Sequence, residues 1–217
     1  MPSLRHERAL WDRGLLRVVG VDEVGMATLA GPVVAAACLV TPEVRLIRRV
    51  RDSKLLRRDE REELIAIIRQ RVARIGVGAA SVAEIDRLNI YHASHLAMLR
   101  ALRQVGEYDW VLVDGRRILD PAFIPGRHTE IVRGDEQSFA IAAASIVAKV
   151  TRDRLMAKLA ARYPGYGWEH NAGYPTIDHR TALRERGVTP LHRRDFGTVR
   201  LLRLGEQLAL NAELSPS

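Results

Sequence analysis

Residues 15–40, LLRVVGVDEVGMATLAGPVVAAACLV, contain two apolar runs joined by a short turn. The first run, residues 15–22, ends at the neighbouring acids Asp22 and Glu23. The second run, residues 32–40, is rich in Val and Ala. Short apolar runs bounded by turn residues are typical of buried strands. The segment therefore predicts two strands, with a pair of carboxylates where the first strand ends.

Strands and amphipathic helices alternate along the chain beyond this segment. Capping patterns predict where two of the helices begin, because Asp59 is followed by Glu62 and Ser81 is followed by Glu84. The predicted order, β-β-α-β-α-β-β-α, is typical of an α/β fold in which helices cover a mixed five-stranded sheet. The predicted strands after residue 40 are 76–81, 110–114 and 129–135, and the predicted helices are 60–75, 82–102 and 138–162.

Residues 162–175, RYPGYGWEHNAGYP, interrupt this alternation with Pro, Gly and aromatic side chains. Two further helices are predicted after the interruption, at 177–186 and 198–210. A tail of this length buries little core by itself. We therefore predict one catalytic domain over residues 1–163 and a C-terminal helical appendage over residues 164–217.

The composition is that of an ordinary globular protein with an excess of cations. Of the 217 residues, 47% are hydrophobic and 28% are charged, and the formal net charge is +8. Excess positive charge favours a polyanionic partner such as a nucleic acid, although it says nothing about chemistry.

The residue pattern does not predict export or insertion into a membrane. No apolar run has the length of a membrane span, and the first residues lack an apolar signal core. Cys38, the only cysteine, excludes an internal disulfide and suits a reducing compartment. We expect a cytoplasmic protein that is a monomer and has no membrane partner.

Four acidic residues stand where predicted strands end. Asp22 and Glu23 follow the first strand, Asp114 ends the strand WVLVD, and Asp135 follows IVRG. Adjacent strands bring their ends to one edge of a sheet, and carboxylates gathered there repel one another unless a cation neutralises them. Oxygen ligands without a supporting set of Cys or His favour Mg²⁺ or Mn²⁺ over zinc. Two such ions about 4 Å apart can support cleavage of a phosphodiester.

Each of these acids also has a purely structural interpretation. Asp22 and Glu23 suit a turn before Gly25, Asp114 begins a common turn dipeptide, and Asp135 can cap the helix that follows it. Neighbouring residues of an extended strand point to opposite faces of the sheet. Asp22 and Glu23 can therefore serve one metal site only if the strand ends or twists between them.

The histidines do not predict a zinc site. His170, His179 and His192 are widely spaced in predicted loops and helix, and no cysteine lies near them in the sequence. This spacing differs from the compact ligand patterns of structural zinc.

Six motifs along residues 18–199 resemble, in order, those of the ribonuclease HII family. They read VGVDEVG with LAGPVVAAA, DSKLL, EIDRLNIYHASHLAMLRAL, VLVDG, VRGDEQSFAIAAASIVAKVTRDRLM, and NAGYPTIDH with TPLHRRDF. Six ordered motifs over most of a chain are far more specific than one short pattern. The resemblance implies an RNase H-like sheet with the helical tail packed beside a substrate groove.

The resemblance also implies the activity. Members of the family are endonucleases that hydrolyse the RNA strand of RNA–DNA hybrids, including ribonucleotides embedded in duplex DNA, and leave 3′-hydroxyl and 5′-phosphate ends. Their metal-binding carboxylates correspond here to Asp22, Glu23, Asp114 and Asp135, which implies two Mg²⁺ or Mn²⁺ ions per active site.

Three further residues correspond to substrate contacts of the family. Ser53 and Lys54 match phosphate contacts, and Tyr174 matches an aromatic residue that packs on the sugar beside the ribonucleotide. Without the resemblance, Tyr174 reads as a loop tyrosine buried by the tail. The C-terminal residues GEQLALNAELSPS lack the aromatic pair of a sliding-clamp-binding peptide, so no replication partner is expected.

One segment departs from the family pattern. A Gly-Arg-Gly sequence after the acid pair largely reads the 2′-hydroxyl in this family, and here the segment is Gly25, Met26 and Ala27. Met26 has no hydrogen-bond donor in its side chain, and Ala27 adds a methyl group where glycine permits close approach of the sugar. The departure predicts weaker recognition of a single ribonucleotide.

Two other functions are compatible with the residue pattern. Exonucleases and resolvases of the RNase H-like fold also use acids at strand ends, although the six motifs do not match them. A hybrid-binding protein with weak or altered nuclease activity is suggested only by Met26 and Ala27. Digestion of an end-labelled hybrid separates internal cutting from stepwise trimming.

Overall fold

A computed structural model describes residues 1–50, 56–115 and 127–213, and in these ranges the chain forms one five-stranded sheet flanked by helices. The predicted α/β architecture is confirmed. The strands are β1 Val18–Val24, β2 Val33–Val40, β3 Arg74–Ala80, β4 Trp110–Asp114 and β5 His128–Ile131. The helices are α1 Arg5–Trp11, α2 Arg58–Arg71, α3 Val82–Leu88, α4 Ile90–Val105, α5 Phe139–Arg162, α6 Trp168–Asn171, α7 Ile177–Arg186 and α8 Gly197–Glu213.

The sheet is mixed, with the strand order β3-β2-β1-β4-β5. Strands β1, β2 and β3 pair antiparallel, whereas β1, β4 and β5 pair parallel. Because β1 and β4 run in the same direction, their last residues lie at the same edge of the sheet. This topology positions Asp22 and Asp114 for a shared site.

Helix α5 covers one face of the sheet and α4 covers the other. The approach of α5 to β1 is so close that a Cβ atom on Gly20 would lie 2.1 Å from the carbonyl carbon of Ala140. Only glycine fits at position 20, because no real Cβ atom approaches a backbone atom so closely. The contact brings the N-terminal end of α5 directly against the strand that carries the first two acids.

The C-terminal tail packs against α5 and against the turn that follows β1. Its buried side chains form a core cluster with Leu29 and Ala30 of that turn and with Met156 of α5. The tail contributes Tyr166, Trp168, Ala172, Ala182, Leu183 and Val199 to this cluster. The division of the chain after residue 163 remains a prediction.

Several element boundaries differ from those predicted. The helix predicted over 82–102 is two helices, because Asn89 adopts a positive φ of 67° between α3 and α4. The capping box of Ser81 and Glu84 is confirmed, with Glu84 accepting from the main-chain N–H of Ser81 at 2.8 Å. The cap predicted at Asp59 is wrong, since α2 begins at Arg58 and its N-cap is Arg57. The carboxylate that accepts from the main-chain N–H of Arg57 belongs to Glu60, not to Glu62.

Two short helices, α1 and α6, were not predicted from the sequence. Helix α1 has seven residues and α6 has four, and both are too short for an apolar periodicity to be recognised. Among the described residues, no helix combines the length and the apolar character that crossing a bilayer requires.

Candidate metal centre and nucleic-acid interface

Asp22 and Glu23 both lie within β1, where they pair with Ala36 and Ala35 of β2. The predicted end of the first strand at Asp22 is wrong, because β1 continues to Val24. Of the two conditions under which both acids can serve one metal site, an end of the strand between them is therefore not met. Asp22 is buried, and its Oδ1 accepts a 2.8 Å hydrogen bond from the main-chain N–H of Glu23. The Asp22 carboxylate is thereby folded back over the next peptide.

Asp114 is the last residue of β4, as predicted. Its Oδ1 accepts a 2.6 Å hydrogen bond from the main-chain N–H of Gly134. A Cβ atom at position 134 would lie 2.6 Å from Cδ1 of Ile141 and 3.2 Å from this same carboxylate oxygen. Gly134 therefore allows the segment before α5 to approach the end of β4.

Asp135 does not lie at the end of a strand. Strand β5 stops at Ile131, and Asp135 occupies a single 3₁₀ turn, Gly134–Glu136, in the connection to α5. The alternative that Asp135 caps α5 is also wrong, because Ser138 is the N-cap and its Oγ accepts from the N–H of Ile141 at 3.2 Å. Asp135 is buried all the same.

The four acids interact through their charges. Burial is the main cause that raises the pKa of Asp22 well above its usual value, and the neighbouring charges of Glu23, Asp114 and Asp135 raise it further. A hydrogen bond to Ser145 opposes these effects. The Asp22 carboxyl group is therefore close enough to each of the other three acids to be affected by its charge.

This donor set fits a divalent cation. Hard oxygen donors with excess negative charge are the ligands that Mg²⁺ and Mn²⁺ prefer, and a cation would relieve the repulsion around Asp22. Within residues 1–50, 56–115 and 127–213, no three acidic, histidine or cysteine side chains already converge on one point as a complete set of ligands.

Two buried arginines hold the turn that follows β1. Arg152 of α5 donates through Nε to the carbonyl of Pro32 at 2.9 Å and through Nη2 to Oγ1 of Thr28 at 2.9 Å. Arg193 of the tail donates through Nη1 to the carbonyl of Met26 at 3.0 Å. The turn containing Gly25, Met26 and Ala27 is therefore fixed from beneath by two side chains distant in sequence.

Burial lowers the pKa of both arginines, that of Arg152 to about 10 and that of Arg193 to about 9. Both side chains remain cationic at neutral pH. Neither residue was predicted as part of the site. The apolar residues Ala148 and Met156, one turn away on either side, indicate from the sequence that Arg152 is on the core face of the helix, but they do not indicate which carbonyls it bonds.

Tyr174 lies beside a basic cleft. The Nζ of Lys149 stands 5.6 Å from the centre of the Tyr174 ring and is fixed by a 2.8 Å ion pair with Asp153. The cleft has a volume of about 340 Å³, and Arg58 and Arg61 also line it. The three cationic side chains outnumber the two acids of the lining, Asp153 and Glu169. Cationic groups beside an aromatic ring have the chemistry of a nucleic-acid backbone site.

Ser53 and Lys54, the predicted phosphate contacts, lie outside the described residues. A larger cleft of about 600 Å³ lies between α3 and the tail. None of the four acids lines this larger cleft, so its size alone does not make it the catalytic site.

Comparison with known proteins identifies relatives over most of the chain. The sequence profile of the family "Ribonuclease HII" matches residues 19–199. The ribonuclease HII of Thermosynechococcus vestitus is 52% identical, over 89% of this chain and 90% of that protein. The ribonuclease HII of Myxococcus xanthus is 47% identical, over 98% of this chain and 73% of that protein.

Solved structures with the same fold were also found. The ribonuclease H2 of Pyrococcus horikoshii aligns with a TM-score of 0.74 at 24% identity, over 88% of this chain and 99% of that one. A ribonuclease HII of Archaeoglobus fulgidus, solved in complex with PCNA, aligns with a TM-score of 0.69 at 28% identity, over 84% of this chain and 96% of that one. A Bst ribonuclease HIII in complex with Mn²⁺ aligns with a TM-score of 0.65 at 18% identity, over 89% of this chain and 71% of that one.

Proposed function

Because the chain belongs to the ribonuclease HII family, we propose that Asp22, Glu23, Asp114 and Asp135 are the carboxylates with which it hydrolyses its substrate. The protein is a metal-dependent endoribonuclease that acts on RNA–DNA hybrids. The observation that carries the residue assignment is the buried carboxylate of Asp22, surrounded by the charges of three other acids.

The four acids would hold two divalent ions, Mg²⁺ or Mn²⁺. Such ions would supply an activated water and would stabilise the leaving oxygen, chemistry that leaves 3′-hydroxyl and 5′-phosphate ends. The protein's own part is positioning. The N–H of Gly134 orients Asp114, the N–H of Glu23 orients Asp22, and the close packing of α5 on β1 excludes water beneath the site.

The basic cleft beside Tyr174 is proposed as the path of the nucleic-acid backbone. Lys149, Arg58 and Arg61 supply positive charge there, and the Tyr174 ring supplies a flat surface on which a sugar can pack. Ser53 and Lys54 are proposed as further phosphate contacts. Phosphate contacts set position and affinity without reading sequence, which suits an enzyme that acts on hybrids of any sequence.

The turn of Gly25, Met26 and Ala27 is proposed to read the 2′-hydroxyl weakly. The Met26 side chain is partly buried and packs against the core cluster under α4, and its carbonyl is taken by Arg193. The side chain offers a sugar hydroxyl no donor, and the carbonyl oxygen already accepts a hydrogen bond from Arg193. Runs of ribonucleotides, which are also held by their A-like shape, should therefore be better substrates than a single ribonucleotide in DNA.

The experiment that tests this function uses a hybrid labelled at one end of its RNA strand. With Mg²⁺ or Mn²⁺ we expect internal cuts that leave extendable 3′-hydroxyl ends, and no cuts in the presence of a chelator. Asp114→Asn should remove the cleavage. Stepwise loss of nucleotides from the labelled end would indicate an exonuclease instead. Binding without cleavage by the parent protein would favour the hybrid-binding alternative.

A further inference from the structure

Glu7 of α1 is a fully buried carboxylate near the start of α5. Its Oε1 accepts a 2.6 Å hydrogen bond from Oγ of Ser138 and a 2.9 Å hydrogen bond from the main-chain N–H of Ala140. The first N–H groups of a helix have no partner within the helix, and a negative charge is favourable at this end of its dipole. Glu7 therefore completes the N-terminus of a 24-residue helix from outside it.

The second oxygen of the same carboxyl group, Oε2, is buried and has no hydrogen-bond partner among the described residues. Burial is the main cause that raises the pKa of Glu7 above its usual value. A buried polar atom without a partner destabilises the folded state, so packing alone does not account for a carboxyl group here. The hydrogen bonds of the other oxygen must offset this cost.

The residues before α1 hold the same segment from its backbone. The N–H of Ser3 donates to the carbonyl of Gln137 at 3.0 Å, and the N–H of Phe139 donates to the carbonyl of Ser3 at 3.0 Å. Together with Glu7, these hydrogen bonds grip the chain on both sides of Ser138. The N-terminal segment thus fixes the start of α5 at three main-chain positions.

Further hydrogen bonds connect Ser138 to Asp114 at the edge of the sheet. The N–H of Ser138 donates to the carbonyl of Gly134 at 2.8 Å, and the N–H of Gly134 donates to Oδ1 of Asp114 at 2.6 Å. Asp135 lies inside this loop of hydrogen bonds. Arg133, which precedes Gly134, has a positive φ of 56°, a conformation that non-glycine residues keep only where their surroundings impose it.

We propose that Glu7 is a positioning residue for the metal centre, holding Asp114 and Asp135 in place through Ser138 and Gly134. This inference rests on the proposed assignment of those two acids as metal ligands. Glu7 does not touch substrate or metal. It acts by restricting the segment 134–138, so that the carboxylates meet an incoming cation already oriented.

The matched variants are Glu7→Ala, Glu7→Gln and Leu10→Ala. Glu7→Ala removes the acceptor of both hydrogen bonds, whereas Glu7→Gln keeps a side-chain oxygen in the place of Oε1. Leu10 is buried on the same helix, so its truncation loosens the packing of α1 while leaving the Glu7 side chain with both of its hydrogen bonds. Glu7→Asp, which keeps the charge but withdraws the oxygen by one methylene, replaces Glu7→Ala if that variant does not fold.

Calorimetric titration with Mn²⁺ in the absence of nucleic acid is the first measurement, and kcat and KM on a hybrid are the second, at a temperature well below each variant's Tm. Loss of a direct hydrogen-bond partner of a metal ligand typically weakens metal binding about 10–100-fold, and Glu7 acts on Asp114 through two intermediate residues. We expect Glu7→Ala to weaken Mn²⁺ binding by about the lower limit of that range, with reduced kcat and little change in KM. Glu7→Gln should restore most of the lost Mn²⁺ affinity and kcat. Leu10→Ala should lower Tm and leave Mn²⁺ affinity unchanged.

Equal Mn²⁺ affinity in Glu7→Ala and the parent, or equal losses in Glu7→Ala and Leu10→Ala, would overturn the inference. Asp114→Asn, measured alongside, separates it from the proposed function. If Asp114→Asn binds Mn²⁺ and cleaves like the parent, the assignment of the metal ligands fails. If Asp114→Asn loses both properties while Glu7→Ala keeps them, only the role of Glu7 fails.

Discussion

Nε2 of His179 lies 3.1 Å from Nε2 of His192 inside the C-terminal tail, and both rings are buried. The two residues are well separated in the sequence, and α7 and the segment after it bring them together. The main-chain N–H of Thr189 donates to Nδ1 of His192, so neutral His192 carries its proton on Nε2, facing His179. Nε2 of His179 also accepts a 3.1 Å hydrogen bond from Nε1 of Trp168. His179 in turn is within 2.9 Å of the carbonyl of Tyr174 through Nδ1.

This histidine pair predicts loss of stability in mild acid. Burial is the main cause that lowers the pKa of both rings, that of His192 to about 4. In the unfolded chain a histidine titrates near pH 6.5, so the unfolded state binds more protons than the folded state between pH 6.5 and 4. The free energy of unfolding therefore decreases as the pH falls through this range. Protonation of His192 in the unfolded state should lower the free energy of unfolding by about 3 kcal/mol at pH 4.

The measurement is the free energy of unfolding in urea from pH 8 to pH 4, for the parent and for His192→Gln. The variant removes the ionisable ring, so its stability should fall less steeply below pH 6.5. Parallel curves for the two proteins would show that His192 does not carry the pH dependence.

Asp22→Asn should abolish cleavage and leave hybrid binding largely intact, and Asp114→Asn should do the same. Removing one carboxylate reduces the charge that holds a cation at the reaction centre, which corresponds to several kcal/mol of barrier, or about a thousandfold in kcat. Asp109→Asn makes the same chemical change at a surface residue bonded to Arg17 and should keep normal turnover. Near-normal kcat in Asp22→Asn contradicts the metal assignment.

The double variant Met26→Arg with Ala27→Gly should raise cleavage of a single embedded ribonucleotide more than cleavage of an RNA run. A hydrogen bond from a charged donor contributes roughly 1.5–3 kcal/mol, which corresponds to about ten- to a hundredfold in rate if it acts at the transition state. The main-chain N–H groups of the turn can still reach the sugar, which would reduce the gain.

The readout is kcat/KM on both substrates for both proteins. If the ratio between the two substrates does not change, the turn does not read the hydroxyl in this enzyme.

Lys54→Ala should weaken binding of every duplex substrate to a similar extent. Removing one phosphate-binding side chain should reduce the slope of log affinity against log salt by about one. Arg17→Ala is the matched control, since Arg17 precedes β1 at the edge of the sheet opposite the acids and is paired with Glu107 and Asp109. An unchanged salt slope for Lys54→Ala would make Lys54 an ordinary surface residue.

The sequence predicted the parts of the site that depend on local pattern. Asp114 was placed correctly because a short apolar run bounded by turn residues ends there. Asp135 was misplaced because the left-handed conformation of Arg133, which turns the chain into a 3₁₀ helix, has no signature in the residue types.

The arginine contacts lay beyond sequence reasoning for a different reason. Arg152 bonds to the carbonyl of Pro32 at a sequence separation of 120 residues, and Arg193 bonds to that of Gly31 at a separation of 162. Every residue has a main-chain carbonyl, so the residue types do not indicate which carbonyl a buried arginine will bond. Glu7 was missed for the same reason, since one of its donors is a main-chain N–H.

The support of the turn after β1 by Arg193 has a consequence for the order in which the enzyme matures on the ribosome. Synthesis runs from the N-terminus, so all four acids emerge before the arginine that holds the Met26 carbonyl. A nascent chain can therefore build its sheet while the turn beside the acids still lacks one of its two anchors. Until Arg193 has been synthesised, Arg152 is the only one of these two arginines that can hold the turn beside the acids.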